Sequence, residues 1–255
     1  TPLHAASTAS PPMISVQVTQ PWLSSMARFI VGSTIKIQPL SSWNATGGLR
    51  SLRKPQQGTV IIALDPKDAA KYNIKNNPNL HCLYENLPVR DIQRNRLPFY
   101  PSILPFLSQR MLIVVSALEP ENYAFYQRRL AEFQSRMEST LEVGRSLIGE
   151  VKILDLTGSV SPWILAASEG AVRPPDDLWE AWTANKRLNE LTSAIGEAQR
   201  RGWWLLIDAW TPAPVRAQIM GKHRNIYIKP AESEYDFFVY LHDIYLEIWS
   251  ATVRN

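Results

Sequence analysis

The stretch PSILPFLSQRMLIVVSALEPENYAFYQRRLAEFQSRMESTLEVGRSLI, residues 101–148, decides the fold. It predicts an apolar helix, a Pro-Glu-Asn junction and a much longer amphipathic helix. Strand-rich segments flank it, so we expect the second helix to be a stiff connector between two lobes, with a binding cleft between them. Its apolar residues recur mostly at steps of three and four, the period of one helical face, and are Tyr123, Tyr126, Leu130, Phe133, Met137, Leu141, Val143 and Leu147.

Short strands and helices alternate on both sides of this connector. Asp65 is a plausible N-cap for a helix that begins at Pro66. The basic, glycine-containing segment 41–57 is predicted to be a loop. The predicted strands are residues 13–19, 34–40, 60–63, 80–84, 151–156, 203–207 and 225–228, and the predicted helices begin near residues 21, 66, 161, 177, 188, 213 and 235.

This alternation predicts an α/β fold: two α/β sandwich lobes with parallel sheets, joined by a long rigid backbone helix. The expected organisation is a flexible leader at 1–12, an N-terminal lobe at 13–117, a linker helix at 118–148 and a C-terminal lobe at 149–255. Ligands in such sheets bind beyond the carboxyl ends of the strands. The loops after Leu156, Ile207 and Ile228 are therefore expected to face the cleft.

Composition narrows the class of protein. The net charge of +4 comes from scattered lysines and arginines, which argues against a nucleic-acid partner. No apolar run reaches the roughly 18 residues of a membrane span, so we expect at most a peripheral membrane association. The single cysteine, Cys82, excludes a disulfide framework. The start TPLHAASTASPP looks like the remainder of a cleaved export signal, or like a chosen starting point, and favours a periplasmic location.

Two short sequence motifs resemble those of a known family. ALEPENYAFYQRRLAEF, residues 117–133, is similar to the start of the linker helix in the zinc/manganese solute-binding proteins of ABC transporters. ALDPKDAAKY, residues 63–72, is similar to a short Pro-x-Asp helix start in the same family. The order of elements matches from about residue 13 to 253. The resemblance implies a bilobed periplasmic receptor without enzymatic activity or cofactor, which delivers a solute to an ABC permease.

The same resemblance implies a metal held by three histidines and one carboxylate. The matching positions here are Val60, Arg96, Gly158 and Lys229. An aliphatic residue, a glycine and two cations supply no donors for zinc, which needs about four N, S or O ligands. We therefore expect a degenerate metal site. A non-standard site built from other residues stays an alternative, although the four histidines show no HxxxH or HxH spacing.

Three interpretations of the basic positions remain open. Arg96 and Lys229 could pair with Asp208 or Asp155 across the lobes, because buried charges require partners. They could instead bind a carboxylate or phosphate, or point to solvent. Trp43 and Trp163 are expected near the cleft, where they could stack on an organic ligand or only pack in the core.

Two functional hypotheses follow from the sequence. The first is a receptor that binds an organic or anionic solute in the inter-lobe cleft. The second is an interaction protein that kept the fold without a ligand. An enzyme is not expected, because the sequence has no GxSxG, P-loop or GxGxxG motif.

Overall fold

The computed structural model describes residues 13–74, 77–85, 97–231 and 235–254. The predicted leader, residues 1–12, lies outside the described residues. None of the described helices is both long and apolar enough to cross a membrane.

The first part of the chain forms a four-stranded parallel sheet in the order β2-β1-β5-β6. A separate antiparallel hairpin, β3–β4, follows β2, which corrects the prediction of a loop over residues 41–57. The elements are β1 (Ser15–Val18), α1 (Pro21–Val31), β2 (Lys36–Pro39), β3 (Ser41–Trp43), β4 (Leu49–Ser51), β5 (Val60–Ala63), α2 (Pro66–Ala70) and β6 (Leu80–Cys82).

Helices then lead into a second parallel sheet in the order β10-β9-β7-β8. After a 3₁₀ turn (Leu97–Phe99), the elements are α3 (Leu104–Leu118), a second 3₁₀ turn (Pro120–Asn122), α4 (Tyr123–Ile148), β7 (Ile153–Asp155), α5 (Ser161–Ala167), β8 (Ala171–Val172), α6 (Asp176–Thr183), α7 (Leu188–Arg200), β9 (Trp204–Asp208), α8 (Ala213–Ile219), β10 (Asn225–Ile228) and α9 (Phe237–Val253). Two parallel sheets and a 26-residue helix between them confirm the predicted α/β architecture.

The connector helix α4 buries a different stripe from the one that its apolar pattern predicts. Tyr123 is 48% exposed, so the buried face begins at Tyr126 instead. The face continues through the polar Thr140 and through Gly144, where an added Cβ would lie 2.6 Å from the ring of Tyr245 on α9. The buried residues of α4 are Tyr126, Leu130, Phe133, Met137, Thr140, Gly144 and Ile148.

Three phenylalanines show how α9 closes the structure. The ring of Phe238 on α9 lies 4.8 Å from that of Phe133 on α4 and 5.9 Å from that of Phe29 on α1. The C-terminal helix therefore packs on the connector and on the first half of the chain. One hydrophobic cluster runs continuously through both halves, which restricts large hinge motions between them.

The Pro-Glu-Asn junction has a structural role. The buried Glu119 carboxylate accepts hydrogen bonds from Asn122 Nδ2, at 2.9 Å, and from the hydroxyl of Tyr126. That hydroxyl also lies 2.6 Å from the Thr34 hydroxyl, which follows α1. The junction thus fixes the start of α4 to α3 and to the first half of the chain.

Candidate functional site in the inter-lobe cleft

An aromatic cluster joins the two halves at the carboxyl ends of their strands. Trp43 ends β3 in the first half, and Trp210 follows the end of β9 in the second. Their ring centroids are 5.3 Å apart and nearly perpendicular. Phe99 lies 6.4 Å from Trp43 and 5.8 Å from Trp210. We call Trp43, Phe99 and Trp210 the aromatic bridge.

The aromatic bridge is only partly closed to solvent. Phe99 is 1% exposed, whereas Trp43 and Trp210 are half-buried. Phe237 continues the cluster inward, 6.1 Å from Phe99 and 6.2 Å from Trp163. Sequence reasoning identified Trp43 but missed Phe99 and Trp210. The Trp210 signal was available, because this residue comes directly after the predicted strand end LLIDA.

The β3–β4 hairpin reaches across the cleft. Its tip is organised by Asn44, whose Oδ1 accepts the N–H groups of Thr46 and Gly48 at 2.9 Å. At Gly47, with φ +76°, a Cβ would lie 2.8 Å from Nε1 of Trp210. A glycine is therefore required for the hairpin to rest on this indole.

Beside the aromatic bridge lies a pocket of about 170 Å³, which we call the aromatic pocket. Its walls include Trp22, Trp43 and Trp210, and its polar groups are Gln20 and Lys71. Gln20 accepts a hydrogen bond from Trp22 Nε1 at 2.8 Å and donates to Asp68 at 2.7 Å. These bonds fix the polar wall in place. The pocket therefore offers indole surfaces and one ammonium to a ligand.

Asp208 is fully buried and is held by donors from its own half of the chain. Burial raises the pKa of its carboxyl group, and the backbone donors at residues 158–160 oppose that rise. Because both oxygens accept hydrogen bonds, the carboxylate does not present a vacant face to the cleft. The donors, between 2.7 and 3.2 Å away, are the N–H groups of Gly158, Ser159, Val160 and Trp210 and the hydroxyl of Thr211.

Asp155 is likewise held within the C-terminal half. Its carboxylate accepts the N–H and hydroxyl of Thr157, at 3.0 and 2.7 Å, and the hydroxyl of Ser161. Arg173, 3.6 Å away, completes the group and stacks on the ring of Trp179 at 4.5 Å. The sequence did not identify Arg173, which follows the two-residue strand β8.

The other candidate positions are spread over the molecule. Arg96 lies outside the described residues. Val60 is the first residue of β5, at the amino end of the sheet and therefore opposite the cleft. Trp163 is 1% exposed and packs in the core. Lys229 is exposed and lies close to Glu247, where its charge opposes the rise in the pKa of Glu247 that burial causes.

Gly158 has its backbone at the cleft but no room for a side chain. A Cβ there would lie 2.1 Å from the carbonyl oxygen of Trp210. A histidine cannot occupy this position without moving one of the two loops. Gly158 therefore contributes a backbone donor to Asp208 instead of a metal ligand.

Whether a metal ion fits the cleft depends on the donor side chains that the structure places together. Among the described residues, no three His, Cys, Asp or Glu side chains are grouped to hold a metal ion. Burial raises the pKa of the Cys82 thiol, and the carboxylates of Asp65 and Asp68 act in the same direction. A protonated thiol is a weak metal ligand. The described side chains of the cleft therefore do not fit a transition-metal ion.

Comparisons with known proteins agree on the fold. The chain matches no protein-family model and no curated protein at a significant level. It is structurally similar to ZnuA, with 11% identity and a TM-score of 0.67 over 94% of this chain and 99% of the other.

Two further solved structures are similar. The Mn-bound periplasmic metal-binding protein from Candidatus Liberibacter asiaticus has 9% identity and a TM-score of 0.61 over 93% and 98% of the two chains. The solute-binding protein FpvC from Pseudomonas aeruginosa, in complex with Mn2+, has 11% identity and a TM-score of 0.60 over 95% and 99%. The chain therefore has the bilobed fold of the metal-type periplasmic solute-binding proteins.

Proposed function

We propose that this chain is the solute-binding component of an ABC uptake system, located in the periplasm, and that its solute is an organic molecule and not a transition metal. The fold supports the first part, because the structurally similar proteins include a periplasmic metal-binding protein and the solute-binding protein FpvC. The contact between Trp43 and Trp210 carries the second part. It puts indole rings where the two sheets direct their carboxyl ends.

An aromatic site favours organic solutes for a physical reason. Indole faces and edges bind planar or apolar groups, whereas zinc and manganese require lone-pair donors at about 2.0–2.3 Å. The carboxylates of Asp155 and Asp208 hold the loops after β7 and β9 in place. The acidic groups that a cation carrier would expose are therefore used for structure in this chain.

Capture of the solute requires only small movements in this proposal. Residues 13–117 and 149–255 act as the two lobes, with 118–148 as the connector. Because one core runs through all three parts, we expect the β3–β4 hairpin and Trp210 to adjust while the lobes stay in place. A permease is the expected partner, since solute-binding proteins of this architecture deliver their ligand to one.

A second candidate function is a ligand-free interaction protein. The observation that favours it is the same aromatic bridge, since Phe99 is 1% exposed and already fills part of the cleft. The two candidates differ in whether a solute stabilises the protein. Binding only to the folded state raises stability by about 2.7 kcal/mol at a ligand concentration of 100 Kd.

The experiment combines metal titration with a solute panel. The chelator-treated chain is titrated with Zn2+ and Mn2+ by calorimetry, and its thermal unfolding is followed with amino acids, organic acids, nucleosides and sugars. We expect no metal dissociation constant below about 0.1 mM, and a rise in Tm of about 5–10 °C with one organic class.

The variant Trp210→Ala should abolish the shift in Tm. Trp249→Ala is the matched control, because Trp249 is 42% exposed on α9, away from the cleft, and it should keep the shift. One-to-one zinc binding at submicromolar Kd would overturn the proposal. If no solute of the panel raises the Tm, the interaction protein is favoured instead.

A further inference from the structure

The aromatic pocket continues into a second depression beneath the β3–β4 hairpin. This depression has a volume of about 340 Å³ and shares Leu49 and Lys71 with the aromatic pocket. Its lining contains Arg53 and Lys54 together with Tyr72. We call it the cationic groove. The two cavities are neighbours, and their linings together contain indole rings and three cations.

Hydrogen bonds fix the walls of the cationic groove. Gln17, fully buried on β1, accepts the N–H of Gln56 at 2.8 Å and donates to the carbonyl of Lys54 at 3.4 Å. Tyr72 donates its hydroxyl to the carbonyl of Thr19 at 2.7 Å. The backbone that carries Lys54 and the ring that faces it are therefore both tied to the end of β1.

The charges of the groove are poorly compensated. Neither Arg53 nor Lys54 forms an ion pair within the part of the chain that the structure describes. Lys71 approaches Asp68 at 3.9 Å, a long separation, and its side chain is 55% exposed. Among the described residues, the lining of the groove includes no carboxylate. Three cations on the lining of one cavity, of which only Lys71 has a carboxylate nearby, attract an anion and repel a cation.

We propose that the two cavities together bind a small organic anion with one aromatic ring, such as an aromatic carboxylate or phosphate ester. The ring lies in the aromatic pocket beside Trp43 and Trp210, and the anionic group lies against Lys71, Arg53 and Lys54. This inference rests on the proposed function and specifies its solute class.

The volumes of the two cavities suit a ligand with one ring. The aromatic pocket, about 170 Å³, is close to an engineered cavity of about 150 Å³ that binds benzene. The cationic groove adds about 340 Å³, which is at the lower end of the roughly 300–1,000 Å³ of ligand sites. A single ring with one charged substituent uses both cavities, whereas a metal ion uses neither.

The test uses five small probes in calorimetry and in tryptophan fluorescence. Benzoate and phenyl phosphate carry a ring and an anion. Benzamide is the neutral analogue of benzoate, benzylamine is the cationic one, and acetate lacks the ring. We expect Kd values of about 0.1–1 mM for the two aromatic anions. Binding of the other three should be at least about tenfold weaker, and added NaCl should weaken binding of the anions.

Variants assign the binding to the two cavities. Lys71→Met, and the double variant Arg53→Gln with Lys54→Gln, should each weaken phenyl phosphate binding about three- to tenfold. All three side chains are at the surface, so these variants should fold. Lys186→Met is the matched control, since Lys186 is exposed at the start of α7, and it should bind as the unmodified chain does.

Each result of the probe experiment overturns or supports a stated part of the proposal. Equal affinity for benzamide and benzoate would overturn the anionic part, and equal affinity for acetate and benzoate would overturn the aromatic part. If another organic class binds and the five probes do not, the inference fails while the proposed function stands. If zinc binds tightly and no organic solute binds, both fail.

Discussion

Replacing Gly158 by alanine places a methyl group where the structure has no space for one. The added Cβ would lie 2.1 Å from the carbonyl oxygen and 2.3 Å from the carbonyl carbon of Trp210. Contacts of this length with backbone atoms cannot be relieved by a side-chain rotation. Either the loop after β7 or the loop after β9 must move, and the N–H of Gly158, now 2.7 Å from Asp208 Oδ1, moves with it.

Two costs determine the size of the effect. Losing one hydrogen bond to a buried carboxylate costs about 1.5–3 kcal/mol, and overpacking a rigid site costs about 1–3 kcal/mol more. We therefore expect the free energy of unfolding to fall by about 3–5 kcal/mol. For a chain of this size the corresponding loss of Tm is roughly 10 °C.

Urea unfolding followed by circular dichroism, together with calorimetric Tm values, measures the loss. The control is Gly196→Ala on α7, where a Cβ would meet nothing within 4 Å. That substitution should leave stability unchanged or raise it by up to about 1 kcal/mol, because alanine is the better helix former. An alanine variant at Gly158 that unfolds within about 2 °C of the unmodified chain would refute the reasoning.

Two other substitutions test buried polar networks, one at the junction before α4 and one within the C-terminal half. Tyr126→Phe should cost about 1–3 kcal/mol at neutral pH in urea unfolding, because the buried Glu119 loses a donor. Burial and this hydrogen bond raise the pKa of Tyr126 from 10.0 to about 12, so the folded chain keeps a proton that the unfolded chain releases. Stability should therefore fall as pH rises from 10 to 12, and less in the variant; equal slopes would contradict this. Arg173→Met should cost about 3 kcal/mol, because it leaves the buried Asp155 without its cation. Arg187→Met, at an exposed ion pair, should leave the free energy of unfolding almost unchanged. Similar losses in the Arg173 and Arg187 variants would contradict the reasoning.

The elements that carry local signals were predicted well from sequence. The helix after Asp65 begins as predicted, and the Asp65 side chain accepts the N–H of Asp68 at 2.8 Å. The β3–β4 hairpin was missed because its strands have three residues each and mostly polar side chains, so no alternation stands out. Its only signal was the pair Gly47–Gly48 at the turn.

Long-range contacts explain the other misses. From sequence, Gly144 predicts a locally less stable helix. In the structure it lets Tyr245 of α9 approach the connector closely. Nothing near Gly144 in the sequence predicts that approach. Pairing of Asp208 with a cation was one of three open interpretations, and among the described residues its donors are mainly backbone N–H groups at residues 158–160. Every residue except proline has the same backbone N–H donor, so the sequence does not show which backbone groups will bind a carboxylate.

Three buried carboxylates, two at the ends of β7 and β9 and one on α2, bear on the proposed solute. Asp68, Asp155 and Asp208 are each at most 1% exposed, and each accepts hydrogen bonds from its own half of the chain. Freeing one of them for a cation would leave its donors unpaired at a cost of about 1–3 kcal/mol each. For a metal to bind at these carboxylates, its own interactions would have to be stronger than several such losses together. An aromatic anion bound as proposed displaces none of these bonds, since its ring lies against indole surfaces and its charge against Lys71, Arg53 and Lys54.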